Sequence, residues 1–179
     1  MHSFKAIALL FLFMFAGQGI AQELPGKAER AKLQFLVGSF ATESTVPPMP
    51  MAPKGASGKG TSLVAWALDS TILVIDDDSQ NNLFGHYKGH GVLGFDAPTK
   101  QFRLEMFNNF GDHISYLGSF VADTLEMTAK VLMPKMPFNQ KLLWYKEEEG
   151  VRLKVLNDVG KGLILALDQK SVPVSAAAK

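Results

Sequence analysis

The sequence predicts an all-β protein, an antiparallel meander of about ten strands that closes into a barrel after a short N-terminal helix. Two observations predict this fold. Apolar residues recur with a period near two from Phe35 to Leu167, as in strands with one buried face. The connections between these runs are short and rich in Gly, Asn, Asp and Pro, so successive strands pair antiparallel, because parallel neighbours need long crossovers.

The first element in the chain is a predicted secretory signal at residues 1–21. Lys5 supplies a positive charge, an apolar run extends from Ala6 to Ala16, and Gly19-Ile20-Ala21 has the form of a cleavage site. The run is well short of the roughly 20 apolar residues that span a bilayer. We therefore expect cleavage after Ala21 and a soluble periplasmic or secreted protein without stable membrane insertion.

The mature chain is predicted to contain one domain. Residues 22–34 form a lead and a short helix, residues 35–168 the barrel, and residues 169–179 a flexible tail. Strict alternation predicts strands at Phe102 to Met106, Leu125 to Val131 and Val151 to Val155. Looser runs predict strands at Leu36 to Val46, Thr61 to Leu68, Thr71 to Asp76, Leu83 to Phe95, Ile114 to Val121, Asn139 to Glu147 and Gly162 to Leu167. Closure removes the exposed edges that an open sheet of this size would leave.

Composition excludes several kinds of partner and chemistry. The formal net charge is +1, which falls to about zero when Lys5 is removed, so the basic excess of a nucleic-acid binder or of a protein held on anionic lipid is absent. The chain has no cysteine, which excludes disulfides, thiol catalysis and thiolate metal sites. No nucleophile–base pair is recognisable, so catalysis is not predicted.

A glycine string in the middle of the chain matches the G-x-G-x-x-G pattern of dinucleotide-binding folds. It runs from Gly89 to Gly94, but a turn at Pro98 lies where the phosphate-binding helix would have to begin. We therefore interpret the glycines as positions where a barrel strand bends or bulges.

Three patterns in the sequence resemble metal sites, and each has a simpler interpretation. Four extended residues separate His86 from His90 by about 13 Å, too far for one zinc ion, which favours positions in the interior or at the rim. The acidic run at Asp76 to Asp78 lacks the later residues of a calcium loop and is predicted to be a solvated hairpin. Two proline-rich segments contain methionines whose thioether sulfur could bind cuprous copper; alternatively, these side chains cover the apolar mouth of the barrel. They are Met49, Met51, Met133 and Met136. No cofactor is predicted.

Two strings resemble the bacterial domain-of-unknown-function family 1579. They are Phe35-Leu36-Val37-Gly38-Ser39-Phe40 and Gly89-His90-Gly91-Val92-Leu93-Gly94-Phe95-Asp96, with Phe40 and Phe95 in place of the family's tryptophan and tyrosine. The resemblance covers about Leu33 to Leu167 and implies a calycin-like, lipocalin-like barrel without an established reaction. Some related barrels hold haem through a histidine near the C-terminal end, and this chain has none after His113.

The predicted function is that of a binding module for a small apolar ligand in the barrel interior. Barrels of about this strand number hold small ligands. The predicted ligand-binding residues are Trp66, His86, Met106, Tyr116, Met127 and Trp144. The same side chains could instead fill the core. Two alternatives stay open: an envelope structural or interaction protein that uses the Pro47 to Pro53 loop, and a periplasmic copper-binding protein. A homodimer also stays open.

Overall fold

The protein is a closed antiparallel barrel of ten strands, which confirms the predicted fold class. A computed structural model describes residues 25–49, 52–132, 137–160 and 162–174, so the predicted signal segment lies outside the described residues. Around the barrel the strands follow the order β1-β10-β9-β8-β7-β6-β5-β4-β3-β2. The chain runs through helix α1 (Lys27–Ala31), a 3₁₀ helix (Lys32–Leu36), β1 (Gly38–Val46), β2 (Ala56–Ala67), β3 (Ile72–Asn81), β4 (Gly85–Asp96), β5 (Gln101–Asn108), β6 (His113–Val121), β7 (Thr124–Val131), β8 (Phe138–Glu147), β9 (Gly150–Asp158) and β10 (Leu163–Pro173).

Side chains alternate between the barrel interior and solvent along the strands. In β5, Phe102 and Leu104 are buried while Arg103 is exposed, and in β7 Leu125 and Met127 are buried while Thr128 is exposed. The register carries this alternation from strand to strand, because residues paired across a ladder lie on the same face of the sheet.

The two ends of the barrel are built differently. At the closed end, the 3₁₀ helix inserts Leu33 and Leu36, which are 0% and 5% exposed, and the ring of Phe35 packs edge-on against Phe120. The connections at residues 68–71, 97–100, 122–123 and 148–149 lie at this end. The open end carries the described connecting residues 47–49, 52–55, 82–84, 109–112, 132, 137, 159–160 and 162. Among the described residues, no helix is long and apolar enough to cross a membrane.

The tightly packed core lies in the half of the barrel nearer the closed end. Phe95, Phe102 and Phe120 form successive edge-to-face contacts, with ring centroids 5.2 and 5.6 Å apart. The side chains with essentially no exposure are Leu33, Leu73, Leu93, Phe102, Leu104, Leu125 and Met127. Their burial supplies the stability that a chain without disulfides needs.

Three strands extend furthest beyond the bounds that the sequence predicted. β2 begins at Ala56 instead of Thr61, so the irregular loop before it is shorter than expected. β3 continues through the acidic run to Asn81, and the predicted hairpin at Asp76 to Asp78 is wrong. β10 continues through Pro173 and pairs with β1, where a flexible tail was predicted from residue 169.

The glycine string forms no bulge in β4, and no helix follows it. The register of β4 with β3 and β5 is unbroken from Gly89 to Gly94, so the predicted bulge is wrong at this point. A Cβ on Gly89 would lie 2.6 Å from the Tyr87 hydroxyl oxygen, and one on Gly91 would lie 2.5 Å from the Met106 sulfur. These glycines leave interior volume that the larger side chains occupy.

Candidate functional site: a cup in the open half of the barrel

Several inward-facing side chains in the open half of the barrel are only partly buried, although Val46, Asn81 and Ala129 in the same half are buried. In a closed barrel, an inward side chain stays accessible only if unfilled space remains beside it. We call this space the cup, and its lining is mixed, with polar and apolar members. The lining comprises Asp77, Tyr87, Met106, Ile114, Gln140, Val155, Asn157 and Leu167.

A chain of hydrogen bonds runs along one side of the cup. The Tyr116 hydroxyl donates to Gln140 Oε1, and Gln140 Nε2 donates to Asn157 Oδ1 over 2.9 Å. Gln140 and Asn157 are direct partners in the β8–β9 ladder, which fixes their relative position. The chain spans three strands and places amide groups where a molecule in the cup can reach them.

A carboxyl group, Asp77, lies on another side of the cup. Burial raises the pKa of Asp77, and the negative charge of Asp76 raises it further, while a hydrogen bond with the Ser62 hydroxyl opposes the change. Ser62 and Asp77 are paired in the β2–β3 ladder. The raised pKa indicates that the ionised carboxylate is poorly hydrated at this position.

Two phenols share this region. Burial raises the pKa of Tyr87 to about 12, and the charges of Asp77 and Asp112 contribute. Burial also raises the pKa of Tyr116, with a further contribution from Tyr87. Both phenols are therefore neutral hydrogen-bonding groups across the physiological pH range.

The apolar part of the lining lies on the strands around these polar groups. Met106 and Ile114 are direct partners in the β5–β6 ladder, and Val155 and Leu167 are direct partners in the β9–β10 ladder. All four are inward and partly exposed. The cup therefore combines hydrogen-bonding groups with an apolar wall, as small-molecule sites usually do.

The six predicted ligand-binding residues lie in three places: at the cup, in or near the packed core and, for His86, on the outer face of the barrel. Met106 lines the cup, and Tyr116 contributes its hydroxyl at the edge of it. Met127 and Trp144 are packed into the core at 0% and 9% exposure, and Trp66 lies near the closed end, where its Nε1 donates to Gln34 Oε1 over 3.1 Å.

His86 is on the outer face of β4, one residue from the start of this strand at the open end, so of the two predicted positions it lies at the rim and not in the interior. It has the opposite parity to the buried Leu93 and is exposed. His86 Nε2 lies 2.6 Å from Asp78 Oδ1, and His90 Nδ1 lies 2.7 Å from Asp76 Oδ1. Each histidine has its own carboxylate partner, and among the described residues no group of three or more His, Asp or Glu side chains could hold a metal ion.

A shallow groove of about 760 Å³ crosses the outer face of β1 to β5 beside these pairs. Its titratable members are His90, Lys88 and the three aspartates Asp76, Asp77 and Asp78, of which Asp77 faces inward and also lines the cup. Asp76 and Asp78 are paired with the histidines, and Lys88 Nζ lies 3.4 Å from Asp78 Oδ2. These groups satisfy one another, so we place the candidate site in the cup.

The methionine hypothesis falls mostly outside the described residues. Met51, Met133 and Met136 lie there, and Met49 forms an isolated bridge with Ala52 in the β1–β2 connection. Ala52 is 3% exposed, so this turn packs against the barrel.

The sequence prediction missed every lining residue except Met106, and the available signal was clearest for Asp77, Gln140, Val155 and Asn157. Each has the same parity as a buried apolar residue of its strand, for example Asp77 with Ile75 and Gln140 with Leu142. That parity was the signal that could have identified them.

Protein-family models give no match to this chain, and a search of curated proteins gives none. The resemblance to the domain-of-unknown-function family 1579 therefore stays a prediction, while the barrel that it implies is present.

Proposed function

We propose that the protein binds a small amphipathic molecule in the cup. The observation that carries this proposal is that polar and apolar side chains facing inward in the open half, such as Asp77, Gln140 and Val155, remain partly exposed, while the side chains with no exposure lie nearer the closed end. The unfilled half contains both hydrogen-bonding groups and an apolar wall. This refines the sequence prediction of a largely apolar ligand.

The lining limits the chemistry of the polar end of the ligand. The amides of Gln140 and Asn157 suit an uncharged hydrogen-bonding group, such as an alcohol or an amide. An anionic head group would be disfavoured, because it would approach the carboxyl of Asp77 in a poorly hydrated space. The apolar end would lie against Met106, Ile114 and Val155.

Native mass spectrometry of the protein, purified in the form that its own cells produce, tests the proposal. We expect a bound small molecule in the native protein. In the variant Val155→Trp the indole would occupy the cup, and the bound mass should be lost.

The matched control is Leu156→Trp, the next residue of the same strand. Leu156 pairs with Lys141 on the opposite face, so its substitution adds the same bulk outside the barrel. A bound mass that persists in Val155→Trp, or that is absent from the native protein, would contradict the proposal.

A further inference from the structure

The inner face of strands β1 to β4 is polar in the open half of the barrel. The ladder register carries the inward orientation from the buried Phe40 to Ser62 and Asp77, and alternation along each strand then gives the other inward positions. Glycines occupy most of the positions between the polar residues, and the apolar exceptions are Val46 and Ala56. We call this face the hydroxyl wall, because its hydroxyl groups belong to Thr42, Ser44, Ser62, Ser79 and Tyr87.

Two serine hydroxyls of this wall are accessible from inside the barrel. Val46 and Asn81 lie one inward position nearer the open end than Ser44 and Ser79, and they are only 5% and 7% exposed, whereas both serines are partly exposed. Neither serine hydroxyl has a hydrogen-bond partner among the described residues, although every fully buried side-chain nitrogen or oxygen in that part of the chain has one. The two hydroxyls are therefore available to a molecule in the cup.

The rest of the hydroxyl wall is occupied differently. Asn81 Oδ1 accepts from the amides of Leu83 and Phe84 over 2.7 and 3.3 Å, so this side chain stabilises the turn after β3. Asp77 forms a hydrogen bond with the Ser62 hydroxyl. The wall therefore offers a ligand neutral hydroxyl groups beside a single carboxyl that already has a partner.

The next strands around the barrel, β5 to β7, present an apolar surface in the open half. Their inward polar groups are engaged: the Tyr116 hydroxyl donates to Gln140 Oε1, and Asn108 Nδ2 donates to Asp112 Oδ2 over 2.9 Å. The other inward side chains there are Met106, Ile114, Ala129 and Val131. Hydrogen-bonding groups therefore lie in two separate regions of the cup, the hydroxyl wall and the amide pair on β8 and β9, with the apolar strip of β5 to β7 between them.

We infer that the ligand of the cup is an uncharged molecule with several hydroxyl groups, a sugar or another polyol that carries an apolar substituent. A hydroxyl both donates and accepts, so the hydroxyls of such a ligand can pair with Ser44 and Ser79 in either direction. A ligand with one polar end would leave one of the two polar regions against apolar atoms, which disfavours binding. In this half, no Lys, Arg or His faces inward from the described strands, so an anionic group would lack a countercharge. The inference rests on the proposed function and names the class of its ligand.

Three probes with the same apolar chain test this inference: octyl β-D-glucoside, 1-octanol and octylammonium, each below its micellar concentration. Isothermal titration calorimetry of the protein, after removal of any bound molecule, gives a dissociation constant for each probe. We expect the glucoside to bind about tenfold or more tightly than the other two, because it alone offers several hydroxyls to the wall. Val155→Trp should abolish this binding, since the indole would occupy the cup.

The variants Ser44→Ala and Ser79→Ala each remove one hydroxyl from the wall without adding bulk. Each should weaken glucoside binding by about two- to tenfold, the contribution of one neutral hydrogen bond, and leave octanol binding unchanged. The matched control is Ser57→Ala, which removes an exposed hydroxyl from the outer face of β2 and should change neither dissociation constant.

Several outcomes would overturn the inference. Octanol that binds as tightly as the glucoside, or octylammonium that binds most tightly, would do so, and loss of that binding in Val155→Trp would leave the proposed function standing. Glucoside binding that both serine variants leave unchanged, or no binding of any probe, would overturn it as well. If no probe binds, a bound mass in the native protein would still support the proposed function, so the two can fail separately.

Discussion

The two halves of this barrel share the same strands, but different kinds of side chain fill their interiors. Near the closed end, Leu104 and Leu125 are completely buried and the short helices complete the packing. Near the open end, inward positions hold polar residues such as Asp77 and Gln140, and they remain partly exposed. The comparison indicates that one half supplies most of the packed core, which leaves the other half for the binding that we propose.

The connections at the two ends of the barrel also differ in the residues that they expose. Those at the closed end carry Asp69, Asp123, Glu148 and Glu149 beside the exposed Leu68, whereas those at the open end expose Phe84, Phe110 and Leu132. The open end therefore combines a polar interior with an apolar outer edge, the inverse of an ordinary globular surface.

The largest expected effect comes from truncating the same residue type in each half. Leu125→Ala should destabilise the protein by about 3 kcal/mol, because the packed core cannot collapse around the lost methyl groups. Leu167→Ala, at a half-buried inward position of β10, should cost about 1 kcal/mol, since its side chain already borders open space. Urea unfolding of both variants provides the measurement. Equal losses would show that the two halves are packed alike.

The sequence predicted strands well where the interior is apolar and poorly where it is polar. The predicted run from Leu125 to Val131 lies within β7, which is strand from Thr124 to Val131. β3 was predicted to end near Asp76, because Asp77, Ser79 and Asn81 face inward and remove the apolar period of two from the sequence. Strands that face a polar interior are therefore difficult to recognise from the apolar pattern. The missed part of β3 includes Asp77, which lines the cup.

The apolar turns at the open end were also difficult to recognise from the sequence. Leu83 and Phe84 were interpreted as the start of a strand, whereas they form the turn between β3 and β4. In a meander, alternate connections lie at the same end, so apolar residues in alternate turns were the available signal. The glycines of β4 could not be interpreted from the sequence, since their role depends on the Tyr87 and Met106 side chains that lie over them.

The next effect concerns the carboxyl group in the open half and depends on pH. Because the pKa of folded Asp77 is raised above its ordinary value of 3.8, the folded state binds more protons than the unfolded state between these two pKa values. The free energy of unfolding therefore falls as pH rises through that window. Asp77→Asn should stabilise the protein at neutral pH, and the gain should disappear below pH 3.8.

Thermal denaturation across this pH range measures the gain. The control Asp69→Asn removes a carboxylate from an exposed turn at the closed end and should show no comparable trend. A destabilised Asp77→Asn variant at neutral pH would mean that the ionised carboxylate is held by favourable contacts, and the cup would then suit a cationic ligand.

The smallest effect tests whether water reaches the cup. Tyr116→Phe removes the hydroxyl that donates to Gln140 Oε1. If water replaces it, the variant should lose only about 0.5 kcal/mol, whereas an amide oxygen left unsatisfied in a dry interior costs roughly 1–3 kcal/mol. Gln140 is partly exposed, so we expect the smaller loss. Urea unfolding of Tyr116→Phe, Gln140→Leu and the double variant isolates the coupling between the two side chains. A coupling well above 1 kcal/mol would mean that the open half is as dry as the closed half, and the division between them would fail at this point.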